Sequence, residues 1–477
     1  MHRRVASKLC APVASCALDP PTDLFLLNTA SPTEQDLLAA PSPVTRAEAF
    51  RFWLQLGFVS FGGPAGQIAL MHSELVERRR WISENRFLHA LNYCMVLPGP
   101  EAQQLATYIG WLMHRTWGGV VAGALFVLPS LAILIALSWV YVAFGHVSAV
   151  AAVFYGIKPA VTALVLHAAH RIGTRALKNA WLWAIAAAAF VAIFAFGTPF
   201  PAIVLSAALI GHVGGRRWPT LFRLGGGHDS ASRSHGRALI DDTTPTPPHA
   251  VFSRRRLARV LLAGLGLWSA AMAWLIALNG LDGALARMGW FFTKAALLTF
   301  GGAYAVLPYV YQGAVEQQHW LTGAQMIDGL ALGETTPGPL IMVVAFVGFV
   351  GGWQQAIFGP DALFAAGALA AAVVTFFTFL PSFVFILAGG PLVESTHGKL
   401  HFTAPLTAIT AAVVGVIGNL AVFFAYHVLW PMGFHGGFDA TSAAIAVASA
   451  VALFRFKVGV MPLLGACAVL GLLVKLI

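Results

Sequence analysis

One pattern is written twice in this chain, and it constrains the fold more than any other feature. SFGGP at Ser60–Pro64, Trp81 and LPGP at Leu97–Pro100 recur as TFGG at Thr299–Gly302, Trp320 and TPGP at Thr336–Pro339. Phe61 maps to Phe300, Trp81 to Trp320 and Pro98 to Pro337, each at a shift of 239. Glu77/Glu316, Leu91/Leu330 and Ala106/Ala345 keep that shift. A later pair, LPS at Leu128–Ser130 and at Leu380–Ser382, matches at 252, which requires an insertion of about a dozen residues. Two copies of one unit, each with helix-breaking Gly and Pro inside apolar sequence, predict a membrane protein built from internal repeats.

Composition agrees. Of 477 residues 58% are hydrophobic and 10% charged, and the mean hydropathy is +0.75. A soluble domain carries about a quarter charged residues. Gly118–Phe144, Ser148–Ala169, Asp361–Gly389 and Phe402–His427 each reach the length needed to cross a bilayer as a helix. They lack period-2 alternation, which excludes an outer-membrane barrel. The expected class is an all-α polytopic membrane protein, its two homologous halves arranged as inverted repeats with broken or re-entrant helices. The net charge of +10 reads as loop charge that orients the protein, not as a nucleic-acid signal. Cys10, Cys16, Cys94 and Cys467 have no paired spacing, so neither a disulfide framework nor a metal site is expected.

Residues 1–48 read as a polar, Pro-rich tail with no signal-peptide core. Residues 49–213 form the first repeat, 214–256 a basic, flexible, cytoplasmic linker, and 257–477 the second repeat with a leading linker helix. Basic clusters at Arg78–Arg80, Arg115, Arg171–Lys178 and in the linker share one face if LPGP turns Phe87–Met113 back as two half-helices. The linker helix then carries the chain across, so the second copy starts inverted. Its loop at Gln312–Gly323 has no Lys or Arg, unlike Glu74–Arg86 in the first copy. Trp81 beside three arginines reads as an interfacial anchor.

Breaks inside a bilayer leave backbone groups unpaired unless protein or a watery cavity satisfies them. Helix N-termini opened by Gly and Pro offer N–H groups and positive dipole ends, which suit an oxyanion. The candidate binding set is therefore Ser60, Gly62, Gly63, Gln67, Pro98, Gly99, Pro100 and Gln103 in the first copy. In the second it is Thr299, Gly301, Gly302, Thr336, Pro337, Gly338 and Pro339, and Gln104 and Thr335 could add hydrogen bonds. Lys158 and Lys294 are cations in apolar context that could attract an anion, and Glu101 and Glu334 are carboxylates placed to carry a coupling proton. Glu101 and Glu334 do not align, since Met95 stands where the second copy has Glu334. The GxxxG pairs Gly119/Gly123 and Gly348/Gly352 read as close helix packing. No Walker A loop, HExxH or GxSxG is present, so neither an ATP-driven pump nor a hydrolase is indicated.

FWLQLGFVSFGGPAGQIALMH, RRRWIS and LPGPEAQQLATYIG, followed by the looser FGGAYAVLP and GETTPGPL, resemble the chromate ion transporter family in its two-domain, long-chain form. The resemblance runs from about Ala49 to Ile477. It implies a multi-pass protein of the bacterial inner membrane that exports chromate by secondary transport, as an antiporter, and gives chromate resistance. Sulfate is a chemically similar cargo. The expected partners are a chromate or sulfate oxyanion, the lipid bilayer and a second copy in a homodimer, with no cofactor and no nucleic acid. The competing class is a membrane-embedded enzyme using Glu101 and Glu334, for which no nucleophile or metal set is found.

Overall fold

The computed structural model describes residues 41–219, 221–222, 236–300, 302–395 and 403–476. The first copy contributes α1 (Arg46–Val59), α2 (Gly63–His72), α3 (Glu84–Cys94), α4 (Glu101–Phe144), α5 (Ser148–Ala176), α6 (Ala180–Phe196) and α7 (Phe200–Arg217). After α8 (Arg254–Asn279), the second gives α9 (Ala284–Leu298), α10 (Ala303–Tyr311), α11 (Gly323–Thr335), α12 (Val343–Gln354), α13 (Leu363–Ser395), α14 (Thr403–Leu429), α15 (Ala440–Phe454) and α16 (Val460–Leu476). Among the described residues, five helices are long and apolar enough to span a membrane: α4, α5, α8, α13 and α14.

The helices break where Gly and Pro deny them a continuation. α1 stops at Ser60, and α2 restarts after Gly62, whose φ is 86°. α3 stops at Met95, and α4 restarts after Pro100. α4 breaks again at His114–Arg115, where Arg115 has φ 58°, before its long apolar part. α1/α2 and α3/start-of-α4 are thus two hairpins. Their ends share a face, since Arg79 approaches Glu48 at 4.0 Å and His114 Nε2 lies 3.0 Å from the Val44 carbonyl. In the second copy Gln354 at the end of α12 donates to Gln325 at the start of α11, closing the same hairpin base. Most of the dozen-residue insertion falls here, as the turn Gln355–Ala362 in place of the tight kink at His114–Arg115, and the rest lengthens the start of α13.

The contacts of the long helices show that the copies are inverted. α4 leaves the first copy's hairpin base and ends with Tyr141, which donates to Asp328 on α11 of the second copy. α13 leaves the second copy's hairpin base and ends with Glu394, which accepts from Tyr108 and pairs with Arg86 on the first copy's hairpin. α4 and α13 run antiparallel, with Trp139 against Phe364. Each copy's hairpins therefore enter from the face where the other copy's long helix ends.

Two bodies result. α1–α4 and α8–α13 form a scaffold in which α4 and α13 pack together, with the hairpins around them. α5–α7 and α14–α16, three helices from each copy, form a six-helix bundle. The principal packing between them joins α10 and α11 to the bundle.

Two sequence expectations are corrected. Trp81 is 3% exposed and packs inside the protein rather than serving as an interfacial anchor, and its counterpart Trp320 is 0% exposed. In both copies a π-helical turn (Ser73–Arg78, Gln312–Gln317) is closed by a left-handed residue, Arg80 or His319, each with φ 51°. The Trp backbone N–H then bonds the carbonyl of Leu75 or Ala314 at 2.8 Å, which turns the indole inward onto Phe52 or onto Phe291 and Phe292. The described linker residues are also docked rather than loose. Leu239 and Ile240 bond the carbonyls of Arg80 and Trp81, Asp242 accepts from Ser83 and Asn85, and the Thr244 carbonyl accepts from Arg86. The GxxxG pairs do mark close contacts: Gly348 and Gly352 leave no room for a Cβ against the carbonyls of Ala370 and Ala366.

Candidate site at the hairpin tips

The tips of the two copies are joined to each other by a reciprocal pair of backbone hydrogen bonds. Gly99 N–H of the first PGP donates to the Thr299 carbonyl of the second FGG break, at 2.8 Å. Gly338 N–H of the second PGP donates to the Ser60 carbonyl of the first FGG break, also at 2.8 Å. Donor and acceptor both shift by 239, so one bond is the two-fold mate of the other. This satisfies the carbonyls of the residues that cap the C-termini of α1 and α9, groups that need a partner within apolar surroundings.

The glycines are required by geometry. Gly99 and Gly338 have φ of 126° and 101°, a region that side chains rarely adopt. A Cβ at Gly99 would strike Ser382, and one at Gly338 would strike Ser130. The repeated LPS motif therefore supplies the small residue on which the other copy's PGP glycine rests.

Two glutamines staple the junction. Gln67 Nε2 donates to the carbonyls of Ser60 (3.3 Å) and Gly338 (2.5 Å). Gln104 Nε2 donates to the Pro98 carbonyl at 2.8 Å and reaches Ser382 Oγ at 3.5 Å. A carbonyl can only accept, so these contacts fix which amide atom is nitrogen. Gln103 Nε2 donates to Thr107 Oγ1. The buried Oε1 atoms of Gln67, Gln103 and Gln104, and Ser130 Oγ, have no hydrogen-bond partner among the described residues. The hydroxyls of Ser60, Thr299, Thr335 and Thr336 each bond a carbonyl three or four residues back and close their own helix ends.

Helix N-termini gather at the same junction. α2 starts at Gly63, with φ 69° and no atom near its Cβ position; α4 starts at Glu101 and α10 at Ala303. The second PGP leads through a short 3-10 turn, Leu340–Met342, into α12. Glu101 follows Pro100 directly. It is partly buried, approaches the Cβ position of Gly302 in the other copy at 3.9 Å, and makes no hydrogen bond or ion pair among the described residues. Glu334 is buried and accepts from Tyr304. Pro337, Gly338 and Pro339 are buried, while Gly62 is exposed. Gly301 lies outside the described residues.

The two lysines do not join this junction. Lys158 pairs with Asp328 at 3.1 Å, about two helical turns below the α11 tip. Lys294 is exposed, 5.9 Å from the ring centre of Trp290. Sequence reasoning also passed over Asp328, Tyr304, Tyr108 and Glu394. The acids carried a signal, a carboxyl inside an apolar run; the tyrosines are recognisable only once the acids they bond are in place.

Comparison with known proteins agrees with this architecture. The family model for chromate transporters matches residues 47–212 and 286–472, one match per copy. The chain is 34% identical over 396 residues to a chromate transport protein of Pseudomonas aeruginosa, covering 82% of this chain and 84% of that one. It is 29% identical over 433 residues to one from Cupriavidus metallidurans, covering 90% and 94%. An uncharacterized transporter of Methanocaldococcus jannaschii is 25% identical over 384 residues, covering 80% and 85%. No solved structure matches. The matched repeats, the spanning helices and the curated relatives together place this multi-pass membrane protein in the chromate transporter family.

Proposed function

We propose that this chain is a secondary transporter that exports chromate across the inner membrane by alternating access around the hairpin-tip junction, and so confers chromate resistance. The observation that carries the reading is the reciprocal Gly99–Thr299 and Gly338–Ser60 pairing. It brings the starts of α2, α4, α10 and the turn before α12 together, inside a structure whose two halves enter from opposite faces. Unpaired N–H groups and positive dipole ends at those starts suit a tetrahedral dianion. Relatives named chromate transport proteins supply the cargo.

Glu101 stands at the start of α4 beside the tip of the other copy. An ionised carboxylate and a dianion repel each other there, so the anion and the charged form of Glu101 compete and protonation is linked to occupancy. Membrane potential adds direction: about 2.3 kcal/mol per charge per 100 mV drives an anion outward from a negative interior. The basic face is assigned to the cytoplasm, which puts the docked linker there. Ser60, Thr299, Gln67 and Gln104 shape the junction and position its backbone donors. Lys158 and Lys294 act away from it.

Radiolabelled chromate flux into inside-out vesicles tests the reading. We expect energised uptake that collapses with an uncoupler, and a Glu101→Gln variant whose remaining flux no longer follows the pH gradient. Uptake blocked equally by sulfate would widen the cargo to sulfate. Absence of chromate flux in a well-folded preparation, or wild-type flux in Gly62→Ala and Pro98→Ala, would overturn this site.

A further inference from the structure

Equivalent hairpins of the two copies have unequal surroundings. Every residue of α10 is buried, beneath α14 and α7, whereas in α2 only Gln67 and Met71 are. Ala65 and Ala69 are exposed while their counterparts Tyr304 and Pro308 are buried. Met95 is 52% exposed, and its counterpart Glu334 is 8% exposed. α11 packs against α5, α14 and α16, whereas α3 has no comparable packing against the bundle. Among the described residues, the ion pair that links bundle to scaffold is Lys158–Asp328, on the second copy's side.

The bundle is itself doubled. α5, α6 and α7 are the counterparts of α14, α15 and α16, so each surface it presents to the second copy's hairpins has a twin. We propose that the six-helix bundle exchanges hairpins: it leaves α10 and α11 of the second copy and packs on α2 and α3 of the first. This rests on the alternating-access reading and names the moving body and its second seat. Applying the repeat relation to each observed contact gives the exchanged set. α10 against α14 becomes α2 against α5, and α11 against α5 becomes α3 against α14. α11 against α14 becomes α3 against α5, α11 against α16 becomes α3 against α7, and α10 against α7 becomes α2 against α16.

The present arrangement seals the second copy's hairpins and leaves the tips reachable along α2 and α3, from the basic face. Exchange reverses this. Lys158–Asp328 is the latch of the present state. Tyr311 against Phe423, rings 4.3 Å apart, maps onto His72 against Arg171. His72 is bracketed by Glu77 and Glu84, at 3.2 and 2.6 Å. The incoming Arg171 guanidinium therefore meets two carboxylates, a charge match that the sequence already holds.

Thiol cross-linking in membranes tests the exchange without reference to cargo. Tyr311→Cys/Phe423→Cys should cross-link with a short bis-thiol reagent and report the present state. His72→Cys paired in turn with Ala168→Cys, Arg171→Cys and Thr174→Cys covers about one helical turn of register to either side and reports the exchanged state. His89→Cys/Thr410→Cys is the second reporter, the image of Asp328 and Lys158. Single-cysteine variants of the otherwise native chain are the controls. Asp328→Asn should raise the exchanged-state cross-link about fivefold, the shift produced by losing an ion pair worth about 1 kcal/mol. Lys158→Gln should do the same if Asp328→Asn fails to fold. Cross-linking at Tyr311/Phe423 alone, with none at the exchanged positions at rest or during flux, overturns the exchange. So does wild-type chromate flux through fully cross-linked Tyr311/Phe423 protein, an outcome that leaves the cargo reading intact. Cross-links of both kinds without chromate flux would keep the exchange and remove the cargo.

Discussion

At Gly99 and Gly338 a backbone shape, a steric limit and a hydrogen bond coincide in one atom group. The positive φ favours glycine, the Ser382 and Ser130 side chains fill the space a Cβ would take, and the N–H reaches across to the other copy. Gly99→Ala and Gly338→Ala should each destabilise the protein by about 1–3 kcal/mol, the usual cost of forcing a side chain into such a conformation. Thermal unfolding in detergent measures this, and chromate flux at matched abundance should fall with it. Doubled motifs exposed these glycines in the sequence. Their partners were invisible, because the two bonds join residues 200 (299−99) and 278 (338−60) apart in the chain. Lys158 shows the opposite limit. Its apolar surroundings suggested a role with substrate, yet its charge is matched by Asp328, and spacing along a chain carries no information on which buried charge meets which.

Arg86 on α3 ties three elements at its helix start. It pairs with Glu394 at the end of α13 (3.5 Å) and donates to the linker carbonyl of Thr244 (2.5 Å). Both side chains are largely buried, so removing one leaves the other poorly compensated. Glu394→Gln should lower stability by about 3 kcal/mol, and Arg86→Met/Glu394→Leu should recover much of it, as read from thermal unfolding. α15 is capped by Asp439, which accepts from Ser442 N–H at 2.9 Å and from Tyr155 OH at 2.9 Å. Partial burial alone would raise its pKa, but the bonds from Ser442 and Tyr155 and the nearby Lys475 outweigh that and lower it. A depressed carboxyl stabilises the fold above its unfolded pKa and loses that contribution as pH falls through its folded value. Asp439→Asn should therefore unfold at lower temperature than the parent at about pH 7, and the gap should narrow as pH falls below about 4, the unfolded value of an aspartate. The π turns before Trp81 and Trp320 show why element detail escaped sequence reading: periodicity marks the helix, while its last turn depends on which carbonyl the Trp backbone N–H finds.

Across the whole molecule, inversion follows from where the long helices end. α4 carries Tyr141 to Asp328 on the far face, and α13 carries Glu394 back to Arg86. Lys178 and Gln317 are both exposed and lie on opposite faces. Lys178→Cys should resist an impermeant thiol reagent in intact cells and react in inside-out vesicles, and Gln317→Cys should do the reverse. The sequence by itself determined the membrane class, the duplication and the breaks, because apolar length, a constant shift of 239 and helix-breaking Gly and Pro are properties of local composition. Loop charge added the inversion. Tertiary structure alone decided that each PGP tip clasps the other copy's FGG tip, and that three helices of each copy separate into a bundle seated on one pair of hairpins. Pairing between distant segments depends on which surfaces fit and which buried polar groups are satisfied, and neither quantity is written in the local pattern.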